Sequence, residues 1–380
     1  VAYHRIARGV ASCDDIQAGS RNVAIATLAP AIAYERTPPA FLDTRLMEPA
    51  ADTALRTHLS HLHEAGQAID LFTLPDASIF GQGSVILRDG RLLLNAAAEF
   101  LNHGHAPEGS EAHGDSYAVR ASAYRRLRGH TLLVKRPWYR NYGHWLVDLL
   151  PLLPLVARAG LRVDAILFGD VQTGPIRAMM DDLAERYFPQ AECLFIDDDT
   201  LCDADHLLYV RPVHVPPLFK HPAALAATRA YALGTAPSEG GGARRRLYID
   251  RSHIPGRDIA NIAELQSVLD RFGLQPIRPD HLGFPEQVAQ FREAELVVGA
   301  KGAAFVTALA CAPGASSLLL SPEGFWDPFF WDLLTPLGIR YGEIYGRTLP
   351  EGFHTVSLCR FVVEPDALAA GLRAMGFAER

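Results

Sequence analysis

Three stretches of this chain set residue types at spacings that suit phosphate and proton chemistry. In Val297-Val298-Gly299-Ala300-Lys301-Gly302-Ala303-Ala304 an apolar strand runs through glycines into a helix. Unpaired N–H groups at a helix start attract an anion and Lys301 adds a full charge, so Lys301, Gly302 and Ala303 are candidates to receive a diphosphate. In the run from Arg246 to Arg257, Arg251 and Arg257 leave a strand end within one loop, where guanidinium groups could clamp phosphate oxygens. In Asn141-Tyr142-Gly143-His144-Trp145-Leu146-Val147-Asp148, a helix from Gly143 would put His144 and Asp148 on one face. The carboxylate would then orient the imidazole as a general base for a hydroxyl.

Weaker candidates surround these. Asn141 and Trp145 flank His144 and are assigned to an acceptor. Glu286 and Gln287 open a predicted helix and Glu323 follows a predicted strand, positions suited to sugar or ribose hydroxyls. His103, His105 and His113 lack the spacing of a metal site and read as surface. Asp197-Asp198-Asp199 resembles a cation-holding D-x-D element, yet acidic residues after an apolar strand commonly make a turn or cap a helix. Each of the three main motifs also has an ordinary reading: a tight turn with a surface lysine, a salt-bridged strand end, or a histidine packed in a core. The phosphate-loop pattern G-x-x-x-x-G-K-[ST] and the dinucleotide pattern G-x-G-x-x-G are both missing from these loops, which counts against ATPase and NAD chemistry.

The elements that must position these residues alternate. After a Gly-rich stretch at 234–245, periodicity predicts strand 247–250, helix 262–272, a short strand at 276–277, helix 285–294, strand 296–298, helix 303–310 and strand 317–320. Strands and helices in turn imply a parallel α/β sheet whose ligand sites lie beyond the carboxyl ends of its strands. Before that stretch, strands near 165–168, 194–196 and 207–210 alternate with a helix at 175–187. The expected division is therefore a first domain over 1–233, a linker over 234–245, a second domain over 246–350 and a closing segment over 351–380 with an amphipathic helix at 365–377.

At 380 residues the chain is long enough for two domains. Its net charge of −7 argues against a general nucleic-acid binder, because such affinity rests on clustered Lys and Arg. Five scattered cysteines without a C-x-x-C pair fit a reducing cytoplasm. The apolar run 145–157 holds Asp148, Pro151 and Pro154 and is too short to span a bilayer. The start, Val1-Ala2-Tyr3, has neither Met nor an apolar signal core and reads as trimmed or non-native.

Taken in order, Asn141 to Pro151, Arg246 to Arg251 with Arg257, Asn261 and Glu264, then Pro285 to Val288 and Gly299 to Ala304 resemble the family-61 glycosyltransferases. That family includes bacterial capsular-polysaccharide proteins and eukaryotic xylosyl- and N-acetylglucosaminyltransferases. The resemblance implies a GT-B fold, two Rossmann-like domains facing across a cleft, with inversion at the anomeric carbon and neither metal nor cofactor. It implies a nucleotide-sugar donor, UDP-sugar first among them, and a glycan or lipid-linked saccharide acceptor, in capsular or extracellular polysaccharide synthesis. Family members often carry His where this chain has Lys301 and Asn where it has Thr307. The expected location is the cytoplasm or the inner face of the membrane, with peripheral association and a homodimer both open. The rival is a noncatalytic nucleotide-sugar or glycan-binding subunit of a polysaccharide assembly system.

Overall fold

The structure is a computed structural model, which describes residues 3–19, 23–216, 218–236, 244–251, 256, 258–350 and 355–380. The chain is α/β and divides into two units, one of residues 1–32 and 67–214 and the other of residues 33–66 and 215–380.

The first unit is built on a nine-stranded sheet. Strands Glu192–Ile196, Ala165–Gly169, Ala123–Leu133 and Thr200–Val210 run parallel, and the long strand Ile69–Phe80 continues the sheet antiparallel. Ala165–Gly169 is buried along its whole length, as its unbroken apolar sequence requires of a strand covered on both faces. Short strands from residues 3–29 and 84–93 extend the unit. None of them is preceded by a long periodic pattern in the sequence.

The second unit carries a seven-stranded sheet in the order Gln275–Ile277, Arg245–Ile249, Ala294–Ala300, Ser316–Pro322, Arg340–Thr348, Phe361–Val362, with Phe41–Asp43 also pairing on Arg340–Thr348. The first five are mutually parallel. Numbered along the chain, their order is 2-1-3-4-5, so the direction of winding reverses between Arg245–Ile249 and Ala294–Ala300. Gly299 permits the close approach there: a Cβ on it would sit 2.9 Å from the Cβ of Ile249. Helix Ile262–Arg271 buries Leu265, Val268 and Leu269, the spacing of one apolar stripe.

Two expectations are revised. The stretch 303–310 winds as a 3-10 helix rather than an α-helix. The units also divide elsewhere than at 234–245. Helix Pro222–Thr235 runs through Gly234 and packs within the second unit, where Arg229 donates to the carbonyls of Leu309 and Cys311 at 2.9 and 2.8 Å. Residues 237–243 of the expected linker lie outside the described residues.

The segment 33–66 also belongs to the second unit. Asp332, wholly buried, accepts Arg36 Nε at 2.5 Å, Lys220 Nζ at 2.9 Å and Tyr34 Oη at 2.9 Å. Two buried cations share one carboxylate, and nothing in the local sequence of 33–66 announces the partner.

Candidate active site

In the first unit, Asn141 starts the helical turn with its side-chain oxygen accepting the N–H of Gly143 at 2.9 Å. The turn Tyr142–His144 passes into a π-helix at Trp145–Leu149, closed by Leu150 N–H to Trp145 O at 2.8 Å. Pro151 accounts for the slip: its ring has no N–H to give and crowds the carbonyl four residues back, so the ladder lengthens by one residue.

The turn holds His144 and Asp148 together, Nδ1 to Oδ2 at 2.8 Å. The other carboxylate oxygen, Oδ1, lies 2.9 Å from Nδ1 of His214, which follows the strand Thr200–Val210. Burial raises the Asp148 carboxyl, but the charge and hydrogen bonds of the two imidazoles outweigh it and hold the group well below its ordinary range. An ionised carboxylate only accepts, so both Nδ1 atoms carry hydrogen and Nε2 holds the lone pair whenever either ring is neutral. His144 keeps a third of its side chain exposed (35%), whereas His214 keeps 6%. His214 was missed in the sequence because its pairing to Asp148 spans 66 residues.

Trp145, expected at the acceptor, has no exposed surface and packs beside the ring of Phe168. It is a core residue, as an indole within a continuous apolar run would be. Trp138 is the exposed indole next to His144.

In the second unit, Arg251 leaves the strand Arg245–Ile249 at the point where winding reverses. It lines a small crevice with Tyr248, Ile249, Ile259, Ile262 and Ala300. Its Nε is buried without a hydrogen-bond partner among the described residues, and burial lowers its hold on its proton. Arg257 lies outside the described residues.

Lys301 is held by acceptors beneath its loop. Its side chain is fully buried, and Nζ reaches Oε1 of Glu343 and the carbonyl of Asp327, both at 3.0 Å, beside the ring of Phe325. Glu343 also accepts from Ser321 Oγ at 2.5 Å and from Tyr341 Oη. The expected gathering of positive charge at the strand tips is therefore corrected: Lys301 is neutralised beneath the loop because a glutamate two strands away claims it. Gly302, in extended backbone, and Ala303 still begin the helical turn above it.

The remaining candidates have structural partners. Glu286 accepts the N–H of Gly283 at 2.9 Å and so closes its own helix start. Gln287 is buried and donates to the carbonyls of Pro279 and Leu282 at 2.8 and 3.1 Å. Glu323, half-buried, accepts the N–H of Thr348 at 3.2 Å. Asp198 is bound by Lys135 at 2.8 Å and Arg140 at 2.9 Å, so the acidic run braces the chain leading to Asn141. His103, His105 and His113 are exposed, as the sequence suggested.

Residues 142–318 match the family model described as Glycosyltransferase 61. No curated protein matches the chain. Among the described residues, no helix is long and apolar enough to cross a membrane.

Proposed function

We propose, from the match of residues 142–318 to the Glycosyltransferase 61 family model, that the chain transfers a sugar from a nucleotide-sugar donor to a hydroxyl of a glycan or lipid-linked acceptor, with inversion and without a metal. The observation that carries the reading is the pair of His144 and Asp148 at 2.8 Å. Asp148 fixes the ring with hydrogen on Nδ1, so Nε2 of His144 takes the proton of the acceptor hydroxyl as its oxygen attacks the anomeric carbon. The bond from that carbon to the diphosphate breaks in the same step, and the nucleoside diphosphate leaves with the electron pair.

On the donor side, Arg251 at the reversal of strand order and the backbone N–H groups near Gly302 and Ala303 are the groups suited to the departing diphosphate. Lys301 acts on the loop from below rather than on phosphate. A fold of the GT-B class, a UDP-sugar donor and a capsular or extracellular polysaccharide product complete the proposal, in keeping with the family.

Incubation with UDP-, GDP- and CMP-sugars and measurement of free nucleotide tests the reading. Nucleotide release that falls with His144→Ala is the expected result. Saturable binding of a nucleotide sugar with neither transfer nor hydrolysis would favour a noncatalytic binding subunit instead.

A further inference from the structure

Trp138 is 54% exposed, yet it is held like a core residue. Its backbone lies at φ 64°, a left-handed conformation that a bulky side chain keeps only where its surroundings impose it. Its N–H donates to Gln82 Oε1 at 3.0 Å and its indole Nε1–H to Glu99 Oε1 at 3.1 Å. The loop is pinned on its far side as well. Tyr139 is buried against Gly169, where any Cβ would fall 2.1 Å from the ring, and its hydroxyl meets Asp198 at 3.2 Å. Burial does not account for this restraint, since a half-exposed ring gains only part of the hydrophobic stabilisation of a buried one.

What the restraint achieves is a position. The indole stands 6.5 Å from the ring of His144, centre to centre, with 29° between the planes. An apolar ring face held in water beside an imidazole suits a ligand with an apolar face and a hydroxylated edge. A pyranose is such a ligand: the C–H bonds of one face meet the negative face of the indole, while its hydroxyls stay at the rim.

We propose that Trp138 is the platform on which a pyranose ring of the acceptor stacks, setting one of its hydroxyls toward His144. The fate of that hydroxyl rests on the transferase reading, whereas sugar binding by the indole does not. The platform is thus the exposed Trp138, six residues before His144, and not the buried Trp145 beside it.

The test uses the full chain and, as probes, the methyl glycosides of glucose, galactose, mannose, xylose and N-acetylglucosamine. The ¹⁵N indole resonance of Trp138, identified by its loss in Trp138→Phe, should shift saturably with at least one of them. With a donor that the wild type turns over, Trp138→Ala should raise the acceptor KM about tenfold or more with a smaller change in kcat. Trp138→Phe keeps a ring face and should stay within about threefold of the wild type. No indole shift with any glycoside, or kcat and melting temperature falling together in both variants at constant KM, would overturn the platform. If the wild type releases nucleotide from no donor, the transferase reading fails by itself, and the indole titration still decides for or against sugar binding at Trp138.

Discussion

Lys301 and Glu343 form an ion pair sealed from water, Nζ to Oε1 at 3.0 Å, with side-chain exposures of 0% and 1%. The strand Ser316–Pro322 lies between the strands that carry them and adds Ser321 to the same carboxylate. The pair therefore ties the glycine loop to the sheet and holds the backbone of Gly302 and Ala303. Breaking such a pair leaves a buried charge alone, which costs about 3–5 kcal/mol. Lys301→Ala should lower the unfolding free energy obtained from urea titration by that amount, and Lys301→Met with Glu343→Gln should recover at least half of it. A Lys301→Ala protein of wild-type stability and reduced turnover would return the lysine to the phosphate.

The base assignment separates two variants. His144→Ala removes the proton acceptor and should reduce kcat/KM by about 10²–10⁴-fold, the range for a positioned general base. Asp148→Asn keeps the imidazole but lets it turn, so a smaller loss with an altered acid limb of the pH–rate profile is expected. Equal losses with no change of profile would indicate that Asp148 itself takes the proton.

Asp148 also predicts how stability depends on pH. Its carboxyl is held below the ordinary range in the folded chain, because the two imidazoles outweigh the effect of burial. Its contribution is therefore complete above the unfolded carboxyl value of about 4 and is lost as pH falls through the lower folded value. The stability gap between wild type and Asp148→Asn, followed by urea unfolding, should narrow on acidification below about pH 4. A gap that widens there would reverse the sign of the argument.

Trp138→Gly tests the left-handed backbone directly. Glycine adopts φ 64° without penalty, so the change should recover about 1 kcal/mol of strain, set against loss of the bond from Nε1 to Glu99. The unfolding midpoint is expected to stay level or rise while glycoside binding is lost. A marked fall in the midpoint would give Trp138 a structural purpose instead.

Four strands of the second sheet were readable from sequence, whereas Phe41–Asp43, Arg340–Thr348 and Phe361–Val362 were not. Val297, Val298 and Leu318 to Leu320 announce buried strands, and Leu265, Val268 and Leu269 an amphipathic helix. His144 and Asp148 were readable because their spacing is local. Lys301 misled because Gly-Ala-Lys-Gly looks like an exposed turn, and Glu343, which buries it, lies 42 residues further on. His214 and Trp138 gave no signal: one meets Asp148 from another strand end, and the other owes its place to Gln82 and Glu99. Apart from Ile69–Phe80, most antiparallel strands before residue 120 are short, and a few apolar residues cannot distinguish a strand from a turn.

The assignment of residues 33–66 to the second unit bears on how the protein is made. Phe41–Asp43 leaves the ribosome long before the strand it pairs with, Arg340–Thr348, has been made. Arg36 likewise waits for Asp332, 296 residues further along, with Glu64 alone as its nearby acidic partner until then. Until Arg340–Thr348 is made, this stretch is an unsatisfied edge, open to wrong pairings or to a chaperone. A premature stop after the first unit would release a product with that edge permanently bare, so shortened chains should aggregate even where the first unit has folded.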